Sequence, residues 1–165
     1  METTMTAENQ TKTFISPEDL LNNYLGHRGL TRRTIEAFPE EQFFSYSIGG
    51  MRPFAEMVME LLGIAAPGLK QIATGETPEF KEHFDHQNSK ELILKLWDES
   101  TEEIKKYWSQ IPANGWDQPI SLFGQWEFPV YSQICYFLDN EIHHRGQAYV
   151  YLRSLGIEPP AFYER

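Results

Sequence analysis

Apolar positions recur along most of this chain at the three-and-four spacing of helices packed on one side. Leu20, Leu21, Tyr24, Thr31, Ile35 and Phe38 form the first stripe. Ser16-Pro17-Glu18-Asp19 opens it. Ser16 can accept from the free amides of a first turn, Pro17 suits the first helical position, and the two acids face the positive end of the dipole. Pro39 is expected to end this helix. Pro53 opens a second helix, Phe54 to about Ala65, which is apolar nearly all round and therefore central. Pro67-Gly68 is expected to end or kink it, and a looser stretch follows from Gly68 to about Gln87.

Asn88-Ser89-Lys90-Glu91 reads as a capping box with Asn88 as the cap. The third helix it starts runs to about Gln110, where Pro112 follows. Pro112 to Trp126 is rich in Gly, Pro and Trp and reads as a crossing loop with room for one short strand pair. Pro129 starts the fourth helix, which runs to about Leu155 and meets Gly156 at its C-terminal position. The pattern predicts an all-α fold: a four-helix bundle with unequal connections, whose ligand sites are built in the core from facing helices. Residues 1–14 read as a flexible N-terminal arm and residues 15–165 as a single domain.

Composition narrows the function classes. The 165-residue chain is 41% hydrophobic and 14% aromatic, enough to build a core. Its net charge of -10 argues against non-specific binding to nucleic acid or anionic membranes, which need basic surfaces. One cysteine, Cys135, excludes a disulfide scaffold within the chain and cysteine-rich zinc sites. Lying between Ile134 and Tyr136, it reads as an inert core residue. With neither a signal-peptide core nor a long apolar span, the expected location is the cytoplasm.

The chemistry concentrates in the fourth helix, in Phe137-Leu138-Asp139-Asn140-Glu141-Ile142-His143-His144-Arg145-Gly146-Gln147. Residues four apart share a helix face, so Asn140 and His144 project together, in line with the core positions Phe137, Ala148 and Tyr151. Polar groups inside an apolar stripe are costly unless they bind a ligand or one another. His143 is rotated roughly 100° from His144 and is expected to face a neighbouring helix or a partner copy. Arg28 falls near the inward stripe of the first helix, where Glu60 or Glu141 could neutralise it. Glu141-x-x-His144 matches half of a di-iron bundle motif, but no second unit accompanies it. His83-Phe84-Asp85-His86 reads as an ordinary polar loop rather than a metal cluster.

The run from Asn140 to Gln147, followed by Tyr151-Leu152-Arg153 and Leu155-Gly156, resembles the DinB/YfiT family, and the likeness covers roughly residues 16 to 160. That resemblance implies a four-helix bundle with an unusual crossing connection, often paired as a homodimer. It also implies a divalent metal (Zn, Ni, Mn or Fe) held by one histidine of the second helix and two of the fourth. His144 matches the last of these positions; Asn140 stands four residues earlier, and Glu60 stands at the matching position of the second helix. The candidate metal set is therefore His144, Glu60 and Asn140, and no catalytic residue is named. Two readings stay open. One is a metal-dependent hydrolase or thiol S-transferase acting on a small molecule. The other is a metal-free binding or stress-response module in which Glu60, Asn140 and His144 form a hydrogen-bonded cluster.

Overall fold

The computed structural model describes residues 14–81 and 83–165. The expected arm, residues 1–14, lies outside that range apart from Phe14, which is fully exposed. The elements in chain order are α1 (Pro17–Ala37), α2 (Glu40–Ser45), α3 (Phe54–Thr74), α4 (Lys90–Trp108), β1 (Pro119–Leu122), β2 (Trp126–Pro129) and α5 (Val130–Ser154). The four long helices make the bundle, with α4 and α5 each packing against both α1 and α3. β1 and β2 pair antiparallel, Leu122 opposite Trp126, and form the strand pair that the crossing loop allowed.

The helix starts follow their local chemistry. Ser16 caps α1 by accepting from the Asp19 amide at 3.0 Å. The α4 cap is one residue later than expected: Ser89 Oγ accepts from the Leu92 amide at 3.2 Å, while Asn88 takes a left-handed turn conformation (φ 50°) before it. Both residues can cap, and the turn geometry chooses between them. The short α2, three residues after α1, was not expected; its buried Phe43 packs against Phe38 and Phe54 and supplies the reason to fold there.

The largest correction concerns α3. It does not end at Pro67 but continues to Thr74, with Gly75 in the left-handed conformation that closes a helix. Pro67 removes one backbone bond, yet the helix is buried almost throughout before it and at Gly68, Leu69 and Gln71 after it, and packing against α4 and α5 outweighs that loss. Gly68 explains why the junction tolerates no larger residue: a Cβ there would lie 2.7 Å from Phe137 Cζ, so α3 and α5 touch almost backbone to ring. Around this contact lie two apolar clusters, one centred on Phe38, Phe54, Trp97 and Tyr151, the other on Tyr24, Leu69, Trp108 and Phe137. Trp97 and Trp108 belong to the core; Trp126 is exposed.

Cys135 also departs from expectation. It is exposed, because the inward stripe of α5 passes through Ile134 and Phe137 and leaves position 135 on the outer face. Among the described residues no helix is long and apolar enough to cross a membrane.

Candidate functional site

The predicted set of Glu60, Asn140 and His144 comes together between α3 and α5. Asn140 and His144 share the buried face of α5, and Glu60 meets them from α3. Asn140 Nδ2 donates to Glu60 Oε1 at 3.1 Å, and His144 Nε2 lies 3.2 Å from the same oxygen. The Glu60 side chain is only 12% exposed, so it belongs to this buried face and not to an outer edge of α3.

Arg52, which carries no motif signal, completes the cluster. Its Nη2 donates to Glu60 Oε2 at 2.5 Å, and the hydroxyl of Tyr151 on α5 donates to its carbonyl at 2.9 Å, pinning this segment to the bundle. On the other side, Gln147 Oε1 lies 3.3 Å from His144 Nδ1, and Gln147 Nε2 lies 3.2 Å from His143 Nε2. His143 points outward and meets the cluster through Gln147 and through an edge-to-face contact of its ring with His144, centroids 5.1 Å apart. The hydrogen bond from His144 pulls the Glu60 carboxyl down to about 2, against the opposing effect of burial and with help from Arg52 and Asn140.

This donor set fits a tightly held divalent ion poorly. It offers one imidazole, one carboxylate and one amide whose NH2 rather than its oxygen meets Glu60. The positive charge that a metal would bring to Glu60 is already supplied by the Arg52 guanidinium. Both ring nitrogens of His144 face oxygen acceptors, whereas a ligand imidazole needs a free lone pair on the metal side. No group of three or more His, Cys, Asp or Glu that could hold a metal occurs among the described residues, the His83-to-His86 loop included.

Glu141 builds a separate centre between α1, α4 and α5. Arg28 Nη1 lies 3.6 Å from Glu141 Oε2, both side chains being 1% exposed, so Glu141 rather than Glu60 is the partner of Arg28. Thr31 Oγ1 donates to Glu141 Oε1 at 2.6 Å. The Arg28 guanidinium also stacks 3.4 Å from the Trp97 ring and donates to the Trp97 carbonyl. Arg145 lies 3.8 Å from Glu141 Oε1 and 2.8 Å from His27 Nδ1. Burial, then Arg145 and Arg165, push the His27 ring down to about 4. These contacts tie helices together and leave the centre closed to a ligand.

Beside the Glu60 cluster opens a cleft of about 510 Å³ walled by Ile64, Phe80, Phe123, Trp126, Phe128 and Tyr136. Glu60 belongs both to the cluster and to the lining of the cleft, where Ser132 and Gln133 add further polar atoms. Two buried glutamines set its shape. Gln71 on α3 donates to the Ser121 carbonyl at 3.0 Å and accepts from the Phe123 amide at 2.8 Å. Gln133 on α5 donates to the Trp126 carbonyl at 2.8 Å. The Phe123 backbone sits in the left-handed region (φ 53°), a strained position for a bulky residue that Gln71 and the packing of its ring hold in place. No pattern in the sequence marks Phe80, Phe123 or Phe128 as one wall, because they come from a loop and a hairpin joined only by tertiary packing.

The solved structures this fold resembles include a DinB-like protein from Bacillus cereus ATCC 10987, with a TM-score of 0.71 and 16% identity over 88% of this chain and 97% of the other. A DinB-like protein from Bacillus subtilis matches with a TM-score of 0.69 and 21% identity over the same shares. A mycothiol-dependent maleylpyruvate isomerase is more distant, with a TM-score of 0.58 and 12% identity over 79% of this chain and 60% of that one. At such identities the likeness speaks for the fold alone. No protein of curated function matches the chain in sequence. The family model of the DinB family matches residues 5–165, nearly the whole length, and the chain belongs to that family.

Proposed function

We propose that this DinB-family chain binds a small, largely apolar molecule in the aromatic cleft, with the Glu60 cluster as its polar contact in place of a metal ion. The observation that carries the reading is the double position of Glu60. Its two oxygens are held by Asn140, His144 and Arg52, and the same side chain lines the cleft. A ligand with an aromatic or aliphatic body fits the six apolar walls, and a hydroxyl or amine on it would find an acceptor in Glu60. The cleft volume lies in the ordinary range for small-molecule sites.

A metal-dependent hydrolase or thiol S-transferase is the competing reading. It requires Asn140 to turn its oxygen inward, His144 to present a lone pair, and Arg52 to leave Glu60. The test is elemental analysis of tag-free protein beside a His144→Ala variant, with thermal-shift screening of aromatic amines and alcohols. The expected result is metal far below stoichiometry and thermal stabilisation by some of these compounds. Near-stoichiometric metal that disappears in the variant would overturn the reading and restore the hydrolase or transferase.

A further inference from the structure

Glu60 is the only charged side chain among the described residues that line the cleft; its other polar walls are Gln125, Ser132 and Gln133, all uncharged. A carboxylate accepts at about four lone-pair positions, shared between its two oxygens. Asn140 Nδ2 at 3.1 Å and His144 Nε2 at 3.2 Å both take Oε1, and Arg52 Nη2 takes Oε2 at 2.5 Å. What is left to a ligand is a single position on Oε2. The charge of Glu60 is met in the same cluster. Arg52 cancels it, so the group sums to zero with a neutral His144 and is net positive when both ring nitrogens of His144 carry hydrogen.

Two other features pull towards a cation. Phe80, Phe123, Trp126, Phe128 and Tyr136 wall the cleft, and aromatic faces attract organic cations. The chain as a whole has a net charge of -10 and draws cations to its surface. An unpaired carboxylate among such walls makes a cation site, and Arg52 is what prevents it. An ammonium head entering the cleft sheds its water, meets a carboxylate whose charge is already cancelled, and has a guanidinium as its neighbour. A hydroxyl brings one hydrogen for the one open position and brings no charge. Taking the cleft as the ligand site proposed above, on which this step rests, we infer that it selects an uncharged alcohol or phenol over an ammonium of the same shape, and that Arg52 sets the choice. Arg52 can do so without carrying the fold. Its side chain is 41% exposed and precedes α3, and Tyr151 anchors this segment through the Arg52 backbone carbonyl, which any side chain leaves in place.

The test is an NMR titration of the full chain at neutral pH with benzyl alcohol and with benzylamine, which is an ammonium at that pH and shares the same ring and carbon. The wild type is expected to bind the alcohol about tenfold more tightly than the amine. Arg52→Gln uncovers the carboxylate and should reverse the order. Arg52→Lys keeps a positive charge beside Glu60 and should keep the wild-type order, a rescue that a purely structural role of the side chain does not give. Tighter or equal binding of the amine by the wild type would overturn the selection and leave the cleft as a ligand site. An order unchanged in Arg52→Gln, or reversed in Arg52→Lys as well, would overturn the role of Arg52. Binding of neither compound would overturn the selection together with the cleft reading beneath it.

Discussion

Arg52 places its guanidinium 2.5 Å from Glu60 Oε2, the oxygen that Asn140 and His144 leave free. A carboxylate at a candidate metal position is thus neutralised by a cation from the segment just before α3. If Arg52 stands in for an ion, removing it should invite one. Arg52→Ala is expected to raise Zn affinity by at least an order of magnitude over the wild type, measured by competition with a chromophoric chelator. Equal affinities would show that Arg52 does not compete for the site.

Two titrations should separate on the acid side. Glu60 falls from 4.5 to about 2 on folding, so the stability it contributes is present above 4.5 and is lost as pH drops towards 2. His27 falls from 6.5 to about 4, so its loss begins earlier, between pH 6.5 and 4, where the unfolded chain takes up the proton first. The two losses therefore fall in successive windows on acidification, that of His27 first. Urea unfolding as a function of pH should show His27→Gln flattening the upper window and Glu60→Gln the lower one. A wild-type slope unchanged in both variants would place the acid sensitivity elsewhere.

Glu141 should matter for stability and little for the cleft. Glu141→Ala leaves the Arg28 guanidinium buried without its carboxylate and is expected to destabilise the fold by about 3–5 kcal/mol. Replacing both partners together, as Arg28→Met with Glu141→Leu, should recover most of that loss, since an apolar pair needs no charge compensation. Urea midpoints of the single and double variants test this; a double variant as unstable as Glu141→Ala would contradict it.

The hairpin depends on Gln71. Gln71→Ala strips hydrogen bonds from the Ser121 carbonyl and the buried Phe123 amide, and should cost about 2–3 kcal/mol. Hydrogen exchange is expected to speed up in residues 119–129 and to stay unchanged in α1 and α4. Uniform acceleration through the whole chain would mean that Gln71 supports the bundle rather than the cleft wall.

The sequence by itself determined the four long helices, the caps at Ser16 and Gly156, the strand pair in the crossing loop, and the shared face of Asn140 and His144. These depend on interactions within a few residues, on spacing and on a recognisable terminal motif. Glu60 became a candidate only through the family resemblance, and the direction of its side chain was decided by tertiary packing.

Tertiary structure decided the rest. Whether Pro67 ended a helix turned on how deeply α3 was buried. Which acid Arg28 met turned on how α1 docks between α4 and α5, and Glu141 was nearer. The apolar neighbours of Cys135 point to the core, but on a helix the burial of residues 134 and 137 turns position 135 away. Arg52 and the aromatic walls of the cleft gave no local signal at all. Their partners lie far away in the chain, and only the packing of the hairpin over α3 and α5 brings them to Glu60.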